Sequence, residues 1–126
     1  MITIGMDESL RRIKKLFEEH GFHHLLVVEN QKVLGVISDR DLLRNVSPFI
    51  DRLSERSQDL DTLNRRAHQI MSYNPITITS NKRVEEAAKT MLVKGVSCLP
   101  VVTRDGYPVG IVTWRDLLRS LCKLIP

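Results

Sequence analysis

Two short segments pair a hydroxyl with a carboxylate at one spacing. Gly35-Val36-Ile37-Ser38-Asp39-Arg40-Asp41 and Gly110-Ile111-Val112-Thr113-Trp114-Arg115-Asp116 each place a Ser or Thr three residues ahead of an Asp. Each reads as the end of a buried strand entering the first turn of a helix. The hydroxyl sits where it can accept a hydrogen bond from the amide three residues on, and the acid favours the positive end of the helix dipole. Capping alone accounts for one such segment. The same geometry also does chemistry: a helix N-terminus offers backbone N–H groups to an anion, and a carboxylate beside it can accept from both hydroxyls of a ribose. Two copies in matching contexts weigh more than one.

The other reactive residue types form no constellation. His20, His23 and His24 cluster near one helix end, but adjacent histidines on a strand point to opposite faces, so His23 and His24 cannot chelate one ion without distortion. Cys98 and Cys122 lack metal-ligand spacing and a partner arrangement for nucleophilic catalysis. Both read as buried, reduced thiols, one in an apolar strand and one at an apolar helix end. The serines and threonines read as caps. No catalytic residue and no metal site is expected, and no cofactor is required.

The elements that position the paired segments repeat along the chain. Ile2-Thr3-Ile4 alternates as a short strand. A helix start lies between Asp7 and Ser9, Leu10, Ile13, Leu16 and Phe17 fall at helical spacing, and Gly21 is a natural terminator. Phe22 to Val28 is a buried strand, Glu29-Asn30-Gln31 a turn, and Lys32 to Ile37 the return strand. Ile76-Thr77-Ile78 matches the opening strand, and Asn81 is the expected cap of a helix faced by Val84, Ala87, Ala88 and Met91. Leu99, Val101 and Val102 match Leu25, Val27 and Val28. The offset is one residue longer after the turn Arg104-Asp105-Gly106, where an insertion is best tolerated. A duplicated strand-helix-strand-strand-helix unit implies an α+β (α/β) fold. Its two halves are expected to pack through their sheets with pseudo-twofold symmetry. The halves are 1–44 and 72–126. Between them, 45–71 is a helical connector with a helix start at Ser47-Pro48, inward residues Phe49, Ile50 and Leu53, and a second stripe of Leu60, Leu63, Ala67 and Ile70. It is a packing connector or a partner-binding helix pair.

Composition narrows the partners. The chain has 126 residues, 42% of them apolar, and a net charge of +4. That charge suits an anionic ligand. Three Phe, two Tyr and one Trp are few for a base-stacking surface, so nucleic acid is not expected. No apolar run approaches the roughly 20 residues of a membrane span, and the first residues turn polar too soon for a signal peptide. A cytoplasmic location is expected.

The repeat resembles the CBS domain, named for cystathionine β-synthase, and the pair resembles a Bateman module. The two Gly-to-Asp segments carry the resemblance. Met71-Ser72-Tyr73-Asn74-Pro75-Ile76-Thr77-Ile78 and Gly95-Val96-Ser97-Cys98-Leu99-Pro100-Val101-Val102 support it. The resemblance implies two clefts that bind AMP, ADP, ATP or S-adenosylmethionine, and a homodimer. By position, Asp41 and Asp116 resemble ribose-binding acids. Ser38 and Thr113, preceded by Ile37 and Val112, resemble groups near ribose and phosphate. Thr3, Thr77 and the following Thr79 resemble the adenine-side segment. His23-His24-Leu25 and Ser97-Cys98-Leu99-Pro100 resemble strand starts whose backbone reads the adenine edge. Arg40 and Arg115 resemble phosphate partners.

Two departures qualify this. The first repeat has no counterpart of Met71 to Pro75 ahead of it, which implies one incompletely walled cleft or a chain cut from a longer protein. Asp39 stands where the second repeat has Trp114, and its charge is expected to weaken phosphate binding there, which favours Asp116 as the ribose acid. The expected function is a non-enzymatic sensor that signals to an effector protein. The rival is a ligand-free dimerisation or docking module in which both motifs serve only as caps.

Overall fold

The computed structural model describes residues 2–46 and 56–123. Its first strand and helix form where alternation and helical spacing place them: β1 (Thr3–Gly5) and α1 (Leu10–His20). Ser9 caps α1 by accepting from the Arg12 amide (3.3 Å). Gly21 ends the helix at φ 66°, a conformation that costs glycine little. The buried stripe is Leu10, Ile13, Leu16 and Phe17.

β2 (His24–Glu29) runs parallel to β1 and antiparallel to β3 (Lys32–Ser38). Asn30 and Gln31 link β2 to β3, both at positive φ (51° and 66°), the sense of turn that matches strand twist. α2 (Asp39–Asn45) follows directly. Ile4, Leu25, Val27, Ile37 and Leu42 join the α1 stripe in one core.

The connector departs from a continuous second helix. It consists of α3 (Ser57–Asp61), a single 3-10 turn (Thr62–Asn64) and α4 (Ala67–Ile70). Arg65 and Arg66 are extended between them, at ψ 157° and 156°. These two residues run beside the β1–α1 loop: Leu10 N–H donates to the Arg65 carbonyl (2.9 Å), and Ala67 N–H to the Glu8 carbonyl (2.8 Å). Leu63, Ala67 and Ile70 are buried as expected, whereas Leu60 is exposed. The expectations at Ser47, Pro48, Phe49, Ile50 and Leu53 fall outside the described residues. β4 (Ser72–Tyr73) then pairs antiparallel with β3, Gly35 opposite Tyr73 and Val36 opposite Ser72. The first compact unit therefore runs Ile2–Asn74 and takes in the connector and three residues, 72–74, grouped by sequence with the second repeat.

The second unit, Pro75–Pro126, repeats the order with β5 (Ile78–Thr79), α5 (Val84–Lys94), β6 (Cys98–Val102), β7 (Pro108–Thr113) and α6 (Trp114–Cys122). The fold is α+β, a duplicated β-α-β-β-α unit. Its hairpin is the longer one, with Gly106 at φ 91° and Thr103 N–H donating to the Tyr107 carbonyl (2.8 Å). Both hairpins shift register at equivalent places, Val27/Val28 and Val101/Val102. Three expectations change here. Arg83 is the N-cap residue of α5, and Asn81 instead accepts from the Thr79 hydroxyl (2.6 Å). Val84 is exposed, leaving Ala87 and Met91 as the buried residues of α5. Cys122 is exposed, because α6 turns no residue fully into the core, and Cys98, the first residue of β6, is half-buried.

Gly35 shows why the first segment needs glycine. A Cβ there would lie 2.6 Å from the Met71 sulfur and 2.9 Å from the Ser72 carbonyl oxygen, whereas one on Gly110 meets nothing within 4 Å. Gly35→Ala is expected to cost about 1–3 kcal/mol through displacement of the β4 segment. Gly110→Ala should stay within about 0.5 kcal/mol. Urea unfolding of the two variants makes the comparison; equal losses would contradict it.

Candidate functional site

In each repeat a strand ends by handing its last hydroxyl to the helix behind it. Ser38 Oγ accepts from the Asp41 amide (3.1 Å), and the Ser38 amide donates to Asp41 Oδ2 (2.8 Å). Thr113 and Asp116 do the same, at 3.4 Å and 2.7 Å, and the Thr113 hydroxyl also donates to Asp116 Oδ2 (3.0 Å). Both capping boxes are complete. The caps use one carboxylate oxygen, Oδ2. Arg119 lies 3.6 Å from the other oxygen of Asp116.

Register brings the strand starts to these motifs. His24 pairs with Ser38 and Leu25 with Ile37; Cys98 pairs with Thr113, Leu99 with Val112 and Pro100 with Ile111. The first helical amide is tied back to the same strand start in both repeats. Asp39 N–H donates to the His23 carbonyl (3.0 Å) and Trp114 N–H to the Ser97 carbonyl (3.1 Å). Thirteen of the expected residues thus gather in two equivalent places: His23, His24, Leu25, Ile37, Ser38 and Asp41 in the first, and Ser97, Cys98, Leu99, Pro100, Val112, Thr113 and Asp116 in the second. Leu25, Ile37, Leu99 and Pro100 are fully buried, so what they can offer a ligand is main chain, not side chain.

The threonines divide. Thr3 stands beside Leu26, two positions from His24, and Thr77 just precedes β5. Thr79 stands beside Val102, four positions and roughly 13 Å from Cys98. It lines a separate cavity of about 230 Å³ with Ser80, Asn81, Lys82 and Arg104. Thr79 is therefore not brought to the motif. Arg40 is exposed, and the Arg115 guanidinium lies over the Trp114 ring, 5.6 Å from its centroid.

One pairing escaped the sequence reading. His23 Nδ1–H donates to Asp39 Oδ2 at 2.8 Å. The carboxylate can only accept, which places the proton on Nδ1. The hydrogen bond from His23 holds the Asp39 carboxyl below its ordinary value of 3.8, against a smaller opposing effect of burial. The charge expected to repel phosphate in the first repeat thus has a cationic partner whenever His23 is protonated. The signal was available: residues 23 and 39 flank the His24–Ser38 pair on the same side of the ladder. Among the described residues no group of His, Cys, Asp and Glu could hold a metal, and no helix is long and apolar enough to cross a membrane.

The model of the CBS domain matches residues 1–48 and 67–123. This chain belongs to the CBS-domain family. A CBS domain-containing protein of Dictyostelium discoideum is 40% identical over 129 residues, covering 99% of this chain and 87% of that protein. The archaeal relatives from Methanopyrus kandleri and Methanocaldococcus jannaschii are longer, and this chain spans only 57% and 47% of two of them. Among solved structures, CBSX2 in complex with AMP superposes with a TM-score of 0.78 at 25% identity, covering all of this chain and 90% of that one. The CBS domain pair of MJ0100, in complex with 5′-methylthioadenosine and S-adenosyl-L-methionine, has a TM-score of 0.76 at 24% identity over 98% of this chain and 91% of that one, a likeness of fold.

Replacing His23 by Ala should raise the Asp39 pKa toward 3.8, followed by carboxyl NMR titration. The sign for stability follows. With the folded pKa depressed, the unfolded chain holds more protons between the two values, so this contribution is present above 3.8 and disappears as pH falls through the folded value. An unchanged titration in His23→Ala would refute the pairing.

Proposed function

We propose that this chain is a non-enzymatic regulatory module that binds an adenosine-containing ligand and passes occupancy to a partner protein. The observation that carries the reading is the duplicated motif. In each repeat one carboxylate beside a helix N-terminus is held by its cap, with a strand start registered against it. A capped carboxylate is fixed in place and so suited to a ribose diol, while main-chain groups at the strand start suit an adenine edge. The AMP complex of CBSX2 supports this class of ligand. Ser38, Asp41, Thr113 and Asp116 are the proposed ribose and phosphate side; His23, His24, Ser97 and Cys98 flank the base. AMP, ADP, ATP and S-adenosylmethionine share the recognised part. The module is proposed to act as a cytoplasmic homodimer, without nucleic acid or membrane.

A second reading has its own observation. Both capping boxes are complete within the chain, and α6 leaves Trp114, Leu118 and Leu121 about half exposed, at 49, 48 and 54%. On that reading the chain is a docking or dimerisation module.

A thermal-shift panel of AMP, ADP, ATP, S-adenosylmethionine and GTP separates the two. At a hundred times Kd a ligand adds about 2.7 kcal/mol, a rise in Tm of roughly several degrees. The expected result is a rise with at least one adenosine compound and not with GTP, lost in Asp41→Ala, in Asp116→Ala or in the double variant. Each substitution alone should cost only about 0.5–1 kcal/mol of stability as a lost cap. No rise with any compound would leave the docking reading.

A further inference from the structure

α2, only seven residues long, carries the Ser38–Asp41 motif at its N-terminus and a tether at the other end. Asn45, its last residue, donates from Nδ2 to the main-chain carbonyl of Asp41 (2.7 Å). Arg65 Nη1 donates to Asn45 Oδ1 (2.6 Å). Both residues are half-buried. The amide orientation follows from chemistry, since guanidinium can only donate and a carbonyl can only accept. Three hydrogen bonds therefore run in series: Arg65 to Asn45, Asn45 to Asp41, and Ser38 to Asp41.

Arg65 is itself anchored. Its carbonyl receives the Leu10 amide (2.9 Å), and His68 N–H donates to the Met6 carbonyl (3.0 Å), so the connector is stitched to the loop that follows β1. The second repeat has no such arrangement among the described residues. Asn45 corresponds to exposed Ser120, whose side chain is shorter.

We propose that Arg65 and Asn45 are positioning residues for the first-repeat motif, through which connector and motif respond as one unit. This rests on the proposed ligand function for its consequence but not for its geometry. Holding the Asp41 carbonyl fixes the peptide that carries the Asp41 carboxylate, so loosening the tether changes the ribose acid without touching it. Coupling of this kind typically changes affinity by about two- to thirtyfold.

The test uses the full chain with Arg65→Met, Asn45→Asp and Ser120→Ala. Asn45→Asp keeps an acceptor for Arg65 and removes the donor to Asp41, so it separates a merely structural anchor from a positioning role. First, without ligand, amide hydrogen exchange of residues 39–45 and the NMR shifts of the Ser38 and Asp41 amides are recorded. Both Arg65→Met and Asn45→Asp should speed exchange several-fold and move the two amide signals, while Ser120→Ala leaves residues 114–122 unchanged. Second, AMP is titrated in an Asp116→Ala background. Both tether variants should weaken binding by about fivefold. Unmoved Ser38 and Asp41 signals in Asn45→Asp, or unchanged exchange in Arg65→Met, would overturn the proposal. If the Asp116→Ala parent takes no AMP, the exchange and shift measurements still decide the tether, and only AMP binding at the first-repeat motif falls.

Discussion

The structure depends on a reciprocal bond between one strand end and the helix that follows it. A serine or threonine amide donates to an aspartate three residues on, and that aspartate's amide donates back to the hydroxyl. This exchange satisfies helix amides that would otherwise lack partners. It also fixes the angle at which α2 leaves β3 and α6 leaves β7, and therefore the face each helix turns to its sheet. The carboxylate is held as part of the same act. The proposed function and the fold draw on one group, which is why removing it tests both.

The two repeats use this junction in different surroundings. The first is closed on its outer side by β4 and the connector, and its core takes in Ala67 and Ile70. The second has a smaller buried cluster, Ala87, Met91 and Leu99, and a final helix with no fully buried residue. Equivalent motifs thus sit on supports of unequal rigidity. A hydrogen bond marks the first, His23 to Asp39, where the second has Arg115 over Trp114. Differences of this kind, rather than the shared Ser/Thr and Asp, are where two clefts of one chain would diverge in what they accept.

Much of this was legible in the residues. Alternation, helical spacing, the two capping motifs and the two glycine terminators placed the strand-helix-strand-strand-helix order of the repeats, though not β4, because those signals are local. The hairpin insertion was legible too, since two positive-φ residues and a glycine loop differ by one position. The connector was not. Its stripe of Leu63, Ala67 and Ile70 reads as one helix, but pairing with residues 6 to 10 pulls Arg65 and Arg66 into extended backbone. Asn81 looked like a cap by type, yet its side chain oxygen is taken by Thr79. Thr79 looked like a site residue by adjacency to Thr77, and register carries it away from the motif. At the connector and at Thr79 a contact between distant segments outweighed a local preference, and at Asn81 a neighbour two residues away took the capping oxygen.

The strand at Ser72–Tyr73 separates two notions of a module. The family piece, the second stretch that matches the CBS domain, includes Met71 to Pro75 near its head. The compact piece, the stretch packed mainly on itself, ends at Asn74. The two are out of phase by a few residues. A crossover at the sequence boundary would import a stranger's edge strand onto β3, where Gly35 leaves room for one particular neighbour. Exchange of repeats between relatives is then limited less by the clefts than by whether a borrowed strand fits the sheet it leaves behind.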